Sequence, residues 1–471
     1  MTISKESLVN LMDKKAKRIE FNRFDAIIGL TLLIPLIFYF FVFYPAIFSF
    51  DSYNQLSQII EMKFTLGHPF IHTFIELICM KIWNSPASIS LFQILVFDFT
   101  WIIICKYNRK KNTKSEKVLQ LVLTFLMGLH PLIGTYTITL WKDILYSIII
   151  LQISFVIEIF IDNRFKVNNY VLIIFSLLLI LVKNIRYNGL IITLGGAVIF
   201  TIILFFKDKK SKAYVKFILY LVIFHFLFMI PQNIFNVEKS TSLVNSGMFN
   251  GKAIQAFGAF TADNIMLDSE KKELNGYLNV EQLKNKYNPY FMDPILYIEK
   301  NDEKISKDEL DFYKLLLKLS LNHPKESFDF WTKSTAIIWR LEKTNDEIGT
   351  SIYTSTYAEN KIDYYNHINE KTQIYKFTTR VLYGLQNIPI LNIIFYRPAL
   401  YFYLSIILII FLLKIKSNIL ILIPNLLNLF GLIISIPIQD VRYVYANYLL
   451  FFLILVIFID KFKIKDNEQN C

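Results

Sequence analysis

AIIGLTLLIPLIFYFFVFYPAIF, from Ala26 to Phe48, is followed without a break by SFDSYNQ, from Ser49 to Gln55. The first part is an apolar run near the length that crosses about 30 Å of hydrocarbon as a helix. The second places a carboxylate, Asp51, two or three residues beyond that span, together with Ser49, Ser52, Asn54 and Gln55. Gly67-His68-Pro69-Phe70-Ile71-His72 then adds two imidazoles. Anchoring a chain in a bilayer requires none of these groups, so a reactive site at the lipid boundary is the leading idea.

Composition extends the reading to the whole chain. Of 471 residues 54% are hydrophobic and 16% aromatic, more apolar material than one soluble core of this length buries. The apolar runs lack strand alternation, which argues for an all-α polytopic membrane protein and against a barrel. Spans are expected at about Ala26 to Phe48, Ala87 to Cys105, Val118 to Leu132, Ile144 to Ile161, Tyr170 to Val182, Leu190 to Phe206, Val215 to Ile230, Ala399 to Leu413, Ile419 to Ile436 and Tyr445 to Ile459. Phe70 to Trp83 brings the number to about 10 to 11 if it crosses, but it is short and carries Glu76 and Lys81, so it is read as re-entrant or interfacial. The polar, basic start of the chain makes the first span an uncleaved insertion signal.

The formal charge of +12 resides mostly in short loops between spans: Lys106 to Lys117, Arg164 to Lys166, Lys207 to Lys216, Lys414 to Lys416 and Lys461 to Lys465. With the N-terminal tail they fall on one side, the positive-inside pattern, so both termini are expected in the cytoplasm and nucleic acid is not a partner. Cys79, Cys105 and Cys471 make no disulfide framework. The domain reading is a cytoplasmic tail (1–25), an N-terminal transmembrane catalytic module (26–230, with the re-entrant or interfacial helix at 70–83), an extracytoplasmic soluble domain (231–396), C-terminal transmembrane helices (397–460) and a second cytoplasmic tail (461–471). In the soluble domain, Leu310 to Leu321 and Pro324 to Trp339 have helical periodicity, Asn285 to Pro294 reads as turns and extended chain, and Thr350 to Tyr365 as loop or short strands.

Polar residues collect on the side opposite the basic loops. Asp51 suits a general base, or with Ser49 the N-cap of an interfacial helix. His68, His72 and Glu76 share a face if a helix begins at His68; they could hold a metal, although binding a phosphate or a sugar hydroxyl suits them better, and a capping histidine with a partly buried one is the equal structural alternative. In Trp141-Lys142-Asp143, Asp143 is a second site carboxylate or a helix cap, and Lys142 a point charge for lipid phosphate or a snorkelling side chain. Lys183-Asn184-Ile185-Arg186-Tyr187-Asn188-Gly189 is a polar hairpin tip whose two cations ask for an anion, either phosphate or a carboxylate such as Asp143. Asp440 and Arg442 pair with each other, or Arg442 takes a second phosphate contact. Asp98, in mid-span, must face the bundle interior, a cavity or a partner.

The order of these features resembles the GT-C superfamily of membrane glycosyltransferases. More narrowly, Tyr44-Pro45 with Ser49, Asp51-Ser52 and Gln55, then His68-Pro69, Trp141-Lys142-Asp143, Arg186-Tyr187-Asn188-Gly189, Tyr287-Asn288-Pro289 with Asp293-Pro294, His323-Pro324 and Asp440-Val441-Arg442-Tyr443 is similar to the DUF6020-like bacterial membrane proteins. The likeness runs from about residue 40 to 450. It implies a GT-C-like bundle with interfacial helices in the first outer loop and a mostly α external domain. The bias to Lys, Ile, Asn and Phe is compatible with an AT-rich bacterial genome, and on that basis a bacterial plasma membrane is expected. The likeness also implies transfer of a sugar from a polyprenyl-phosphate-linked donor to an extracytoplasmic acceptor: a cell-wall polymer, a glycolipid or a protein. Asp51 and Asp143 would be its catalytic carboxylates, and Gln55, His68, His72, Lys142, Lys183, Arg186, Tyr187, Asn188, Asp440 and Arg442 would bind substrate. The paired acidic residues of metal-using members are absent, since Ser52 follows Asp51; a divalent cation stays possible. A transporter or flippase of lipid-linked sugars, or a polymerase or ligase using pyrophosphate-linked glycans, remains the alternative.

Overall fold

The computed structural model describes residues 21–110, 112–166, 168–208, 212–238, 244–262, 265–343, 372–413 and 419–468. The stretch Thr350 to Tyr365 and most of the N-terminal tail lie outside these. The described chain is all-helical, with four isolated β-bridges and no strand. Among the described residues six helices are long and apolar enough to cross a membrane: Arg23–Val42, Ala87–Tyr107, Lys142–Asp162, Gly189–Lys207, Ala213–Ile234 and the Val441–Lys461 segment. Two bent helix pairs raise the number to eight if each is one span, and Asn169–Ile185 and Ile419–Ile433 are shorter apolar helices.

The bends have a local cause. The expected span at Val118 to Leu132 is two helices, Lys114–Leu129 and Pro131–Thr137, inclined by 66°. Pro131 has no N–H to continue the ladder and pushes His130 into extended backbone. His130 then re-caps the second piece by accepting from the Ile133 N–H at 3.3 Å. Pro398 interrupts the chain in the same way between Pro389–Tyr396 and Pro398–Leu413, bent by 63°. The last helix, Ala446–Glu468, continues through most of the segment read as a C-terminal tail.

Lys142–Asp162 is the central helix, packed against Asn169–Ile185, Ala446–Glu468 and Ala87–Tyr107. Arg23–Val42 packs on Lys114–Leu129 and Ala87–Tyr107, whereas Ala213–Ile234 lies at the margin with Ile223, Phe226, Leu227 and Ile230 exposed, as a lipid-facing helix would have them. The two ends of the central helix mark the two ends of the bundle. At one, Asp25 pairs with Arg109 and Lys106, and Asp162 with Lys110 and Lys461, so several residues of the basic loops do share a side. Lys142 starts the other end.

Residues 244–343 fold around a small core of their own, including Phe257, Phe260, Leu274, Leu283, Phe312 and Leu319. The periodicity at Leu310 to Leu321 corresponds to the helix Glu309–Asn322, while Pro324 to Trp339 divides into Pro324–Ser334 and Ala336–Trp339. Helix Gln373–Asn387, read from sequence as part of the same external unit, instead packs its Tyr375 and Leu382 into the main helical core.

Candidate functional site

Two chain segments are stitched side by side at the Lys142 end of the bundle. Ile47 and Thr139 form a parallel bridge, with Ile47 N–H donating to Ile138 O at 3.3 Å and Leu140 N–H to Ile47 O at 3.0 Å. Ser49 caps the helix Phe50–Glu61 in a capping box with Ser52. The same two serines reach across: Trp141 Nε1–H donates to Ser49 Oγ at 2.6 Å and Ser52 Oγ to Leu140 O at 2.7 Å. The first turns of Phe50–Glu61 and Lys142–Asp162 are thereby placed together. Asp51 sits on one and Lys142 on the other, both near positive helix ends that favour anions.

Lys142 Nζ lies 3.2 Å from Asp51 Oδ2 and donates to His68 Nδ1 at 3.2 Å. From the opposite end of the sequence, Arg442 Nη1 donates to the same Asp51 oxygen at 3.1 Å, and its Nε is 3.3 Å from Asp440 Oδ2. Asp440 also accepts from the Arg442 N–H at 3.0 Å, capping the turn Val441–Val444. Behind them, Arg186 Nη1 is 3.1 Å from Asp143 Oδ1, an ion pair whose angles fall short of a hydrogen bond. Both guanidinium groups lie over the Tyr443 ring, Arg186 at 4.6 Å and Arg442 at 5.0 Å from its centroid, and Arg442 also lies over Trp141 at 5.1 Å.

Burial divides this cluster into a reachable layer and a supporting one. Asp51 is 25% exposed and Lys142 and Arg442 15% each, whereas Asp143, Asp440 and Arg186 are almost closed off. Burial would raise the Asp51 pKa, but Lys142 and then Arg442 hold the carboxyl well below its usual range. His68 is pushed down to about 4, first by burial and then by the Lys142 charge, so its imidazole is neutral near pH 7. Asp293, at the start of the short helix Asp293–Leu296, has no ion-pair partner among the described residues and feels both Arg442 and Asp51; partial burial and Asp51 push its carboxyl up, and Arg442 opposes them.

Several residues read as substrate contacts do other work. Asp143 is a buried partner of Arg186 rather than an open second carboxylate, because its place in the first turn of the central helix turns it into the core. Arg186 is correspondingly 5% exposed and not open to an incoming phosphate. Lys183 points away, its Nζ 3.0 Å from His225 Nδ1. Gln55 and His72 are fully buried and bonded to each other at 2.9 Å, with Gln55 also donating to Thr73 Oγ1 at 2.9 Å. Tyr187 OH donates to Leu66 O at 2.7 Å and Asn188 to Ser435 Oγ at 3.0 Å, so the hairpin tip ties neighbouring loops.

The shared face of His68, His72 and Glu76 does not form, since the helix begins at Phe70 and leaves His68 outside it. His72 and Glu76 lie 3.7 Å apart within it, and no group of three or more His, Cys, Asp or Glu side chains suited to a metal occurs among the described residues. Sequence reasoning passed over Tyr443 as the shared platform of two arginines and Gln439 as a clamp; an aromatic beside each arginine was the only trace of the former. Gln439 Oε1 accepts from the Ile337 N–H at 2.7 Å and its Nε2 donates to Ser334 O at 2.7 Å, while Met292 N–H donates to Pro437 O at 2.9 Å. These bonds hold residues 244–343 against the loop that carries Asp440 and Arg442.

Fold and site together describe an all-helical protein with several helices of membrane-crossing character and a charged cluster at one end of the bundle. No protein-family model, no curated protein and no solved structure matches the chain.

Proposed function

We propose that this protein is a membrane glycosyltransferase that moves a sugar from a polyprenyl-phosphate carrier to an extracytoplasmic acceptor, with inversion. The observation that carries the reading is the partly exposed triad Asp51, Lys142 and Arg442, built where the helix Phe50–Glu61 starts after residues 43–49 lead out of the apolar helix Arg23–Val42. A lipid phosphate at the bilayer surface meets two cations there, aimed at the charge that grows on it as it leaves. Lys142 and Arg442, both read from the sequence as phosphate contacts, keep that role in this reading, and Arg186 and Lys183 leave it.

The step balances simply. An acceptor hydroxyl oxygen forms the new bond to the anomeric carbon, the bond from that carbon to the phosphate oxygen breaks, and the lipid phosphate leaves with the electron pair. The acceptor proton passes to Asp51. With both cations on it, Asp51 is a weak base; a donor phosphate that draws Lys142 and Arg442 towards itself loosens that hold and raises its proton affinity. The base is thus strengthened when donor is present. Buried Asp143 keeps Arg186 on the Tyr443 ring, and Arg186 with Tyr443 backs Arg442.

The bundle of ten or so spans, the bacterial plasma membrane and the cytoplasmic termini belong to this same reading. The test is reconstitution of the full chain in liposomes with a labelled hexosyl-phosphoryl-polyprenol. Release or transfer of the sugar, lost in Asp51→Asn and Arg442→Met, is the expected result. Label that stays on the lipid while the lipid changes leaflet would replace the transferase with a flippase.

A further inference from the structure

Another buried cation has no ion-pair partner among the described residues. Lys252, on the helix Val244–Ala262, is 2% exposed, and among the described residues no acidic group pairs with it. Its ammonium donates to Gln255 Oε1 at 3.2 Å and to Ile436 O at 3.0 Å, and lies 5.2 Å from the Phe330 ring centroid and 5.9 Å from that of Trp331. Those bonds and rings offset only part of the cost of taking an ammonium out of water, which favours an additional anion beside it. A cavity of about 230 Å³ opens there, lined by Lys252, Ala253, Tyr313, Leu316, Trp331 and Ile434. Burial lowers the lysine to about 7, as expected of an ammonium without a counter-charge.

The lining narrows the ligand. Trp331 and Tyr313 are half-buried and present aromatic surface, and Tyr313 OH donates to Asn250 Oδ1 at 2.8 Å, leaving the wall apolar apart from the lysine. The space is smaller than pockets for drug-sized ligands, which run about 300–1,000 Å³. Aromatic walls for a ring's C–H face with one cation for a negative substituent suit a single sugar unit that carries a carboxylate or phosphate. The loop is shared as well: Ile436, which accepts from Lys252, lies on the strand of chain that leads to Arg442, at most about 20 Å away when fully extended.

We infer that this cavity is an acceptor subsite for a sugar unit bearing one anionic group, held by Lys252 against Trp331. The inference rests on the glycosyltransferase reading for the word acceptor; the binding itself does not. The experiment is saturation-transfer NMR on the full chain in nanodiscs, with glucuronate, glucose and glycerol 1-phosphate as probes. Glucuronate should bind about ten-fold or more tightly than glucose. Lys252→Met should abolish that preference, and Trp331→Ala should weaken both sugars. In wild-type protein the preference should fall between pH 6 and 8.5 as the ammonium discharges; Tyr313, the titratable neighbour in the wall, is pushed up by burial and stays neutral there.

Equal binding of glucuronate and glucose by wild-type protein, or an unchanged preference in Lys252→Met, would overturn the inference. Stronger occupation by glycerol 1-phosphate would overturn it in favour of a lipid headgroup. Lysine-dependent glucuronate binding without any Asp51-dependent sugar transfer would uphold the subsite and remove the glycosyltransferase reading, whereas Asp51-dependent transfer with no binding at Lys252 would do the reverse.

Discussion

At the scale of single residues the site is a competition for two cations. Asp51 holds Lys142 and Arg442, and any phosphate must compete for them. Asp51→Asn is therefore expected to bind inorganic phosphate roughly three- to ten-fold more tightly than wild type while losing transfer. Isothermal titration checks this, and unchanged affinity would mean the cations do not face the ligand. His68 makes a second prediction, about pH. Its ordinary pKa of 6.5 is depressed to about 4 in the folded chain, so between these values the unfolded chain takes up a proton that the folded one refuses. Its contribution to stability is whole above about pH 6.5 and lost as pH falls towards 4. Asp51 acts in the same direction but lower, below the usual carboxylate range. Melting temperature should drop over pH 6.5 to 4, and His68→Gln should flatten part of that drop; an identical slope in the variant would show that the imidazole ionises freely.

At the scale of elements, caps and close approaches set where charges stand. The turn from Asn169–Ile185 into Gly189–Lys207 is closed by Arg186 N–H donating to Val182 O at 3.2 Å and Gly189 N–H to Arg186 O at 2.9 Å. A β-carbon at Gly189 would lie 2.4 Å from the Val182 carbonyl oxygen, and backbone cannot yield as a side chain can. Gly189→Ala is expected to cost on the order of 1–3 kcal/mol and to displace Arg186 from Tyr443. Thermal unfolding and donor binding measured together check it; a wild-type melt would mean the turn has room to open. Ser49 is the comparable point in the other segment, because its Oγ both belongs to the capping box and accepts from Trp141. Ser49→Ala should lower stability by about 1–2 kcal/mol and loosen Asp51 from Lys142, read as a raised KM for donor. A change in kcat alone would place its effect elsewhere.

At the scale of the whole molecule, residues 244–343 are held to the bundle by Ala336–Trp339, which packs on Pro398–Leu413 with Tyr403 OH donating to Trp339 O at 2.7 Å, and by the loop that carries Asp440. Gln439 is its hinge pin, bonded to Ile337 and Ser334, with Met292 and Pro437 beside it. Gln439→Ala leaves a buried N–H without its partner, at a cost of about 1–3 kcal/mol. Faster amide exchange should follow at Ser334 to Ile338 and in the Asp440 loop, with the core around Phe257 and Phe312 unchanged. Exchange spreading through that core would show that the unit does not hold together independently of the clamp.

How much of this was legible follows from the range of each interaction. Helix positions came through, because 3.6-residue periodicity, proline and capping residues act over a few positions. Asp51, Lys142, Asp143, Arg186, Asp440 and Arg442 were visible as polar residues at the ends of apolar runs, where hydrocarbon tolerates none without reason. The break at His130-Pro131 was also written locally, though it was read as a continuous span. Partner choice was not legible. Whether Arg186 takes Asp143 or a ligand, whether Lys183 turns to His225, and whether Gln55 lines a cavity or fills one depend on groups far apart in the chain. Lys252 had a local trace, as the only charge between Lys239 and Asp263 and at the head of the apolar run Ala253 to Phe260, but what it faces depends on the loop around Ile436 far along the chain. An apolar helical chain with charges gathered at helix ends follows from rules that need only neighbours along the chain. Which of those charges neutralise one another and which stay open follows from the three-dimensional packing, because ion pairing depends on distance in space and burial, and neither is encoded at any single position.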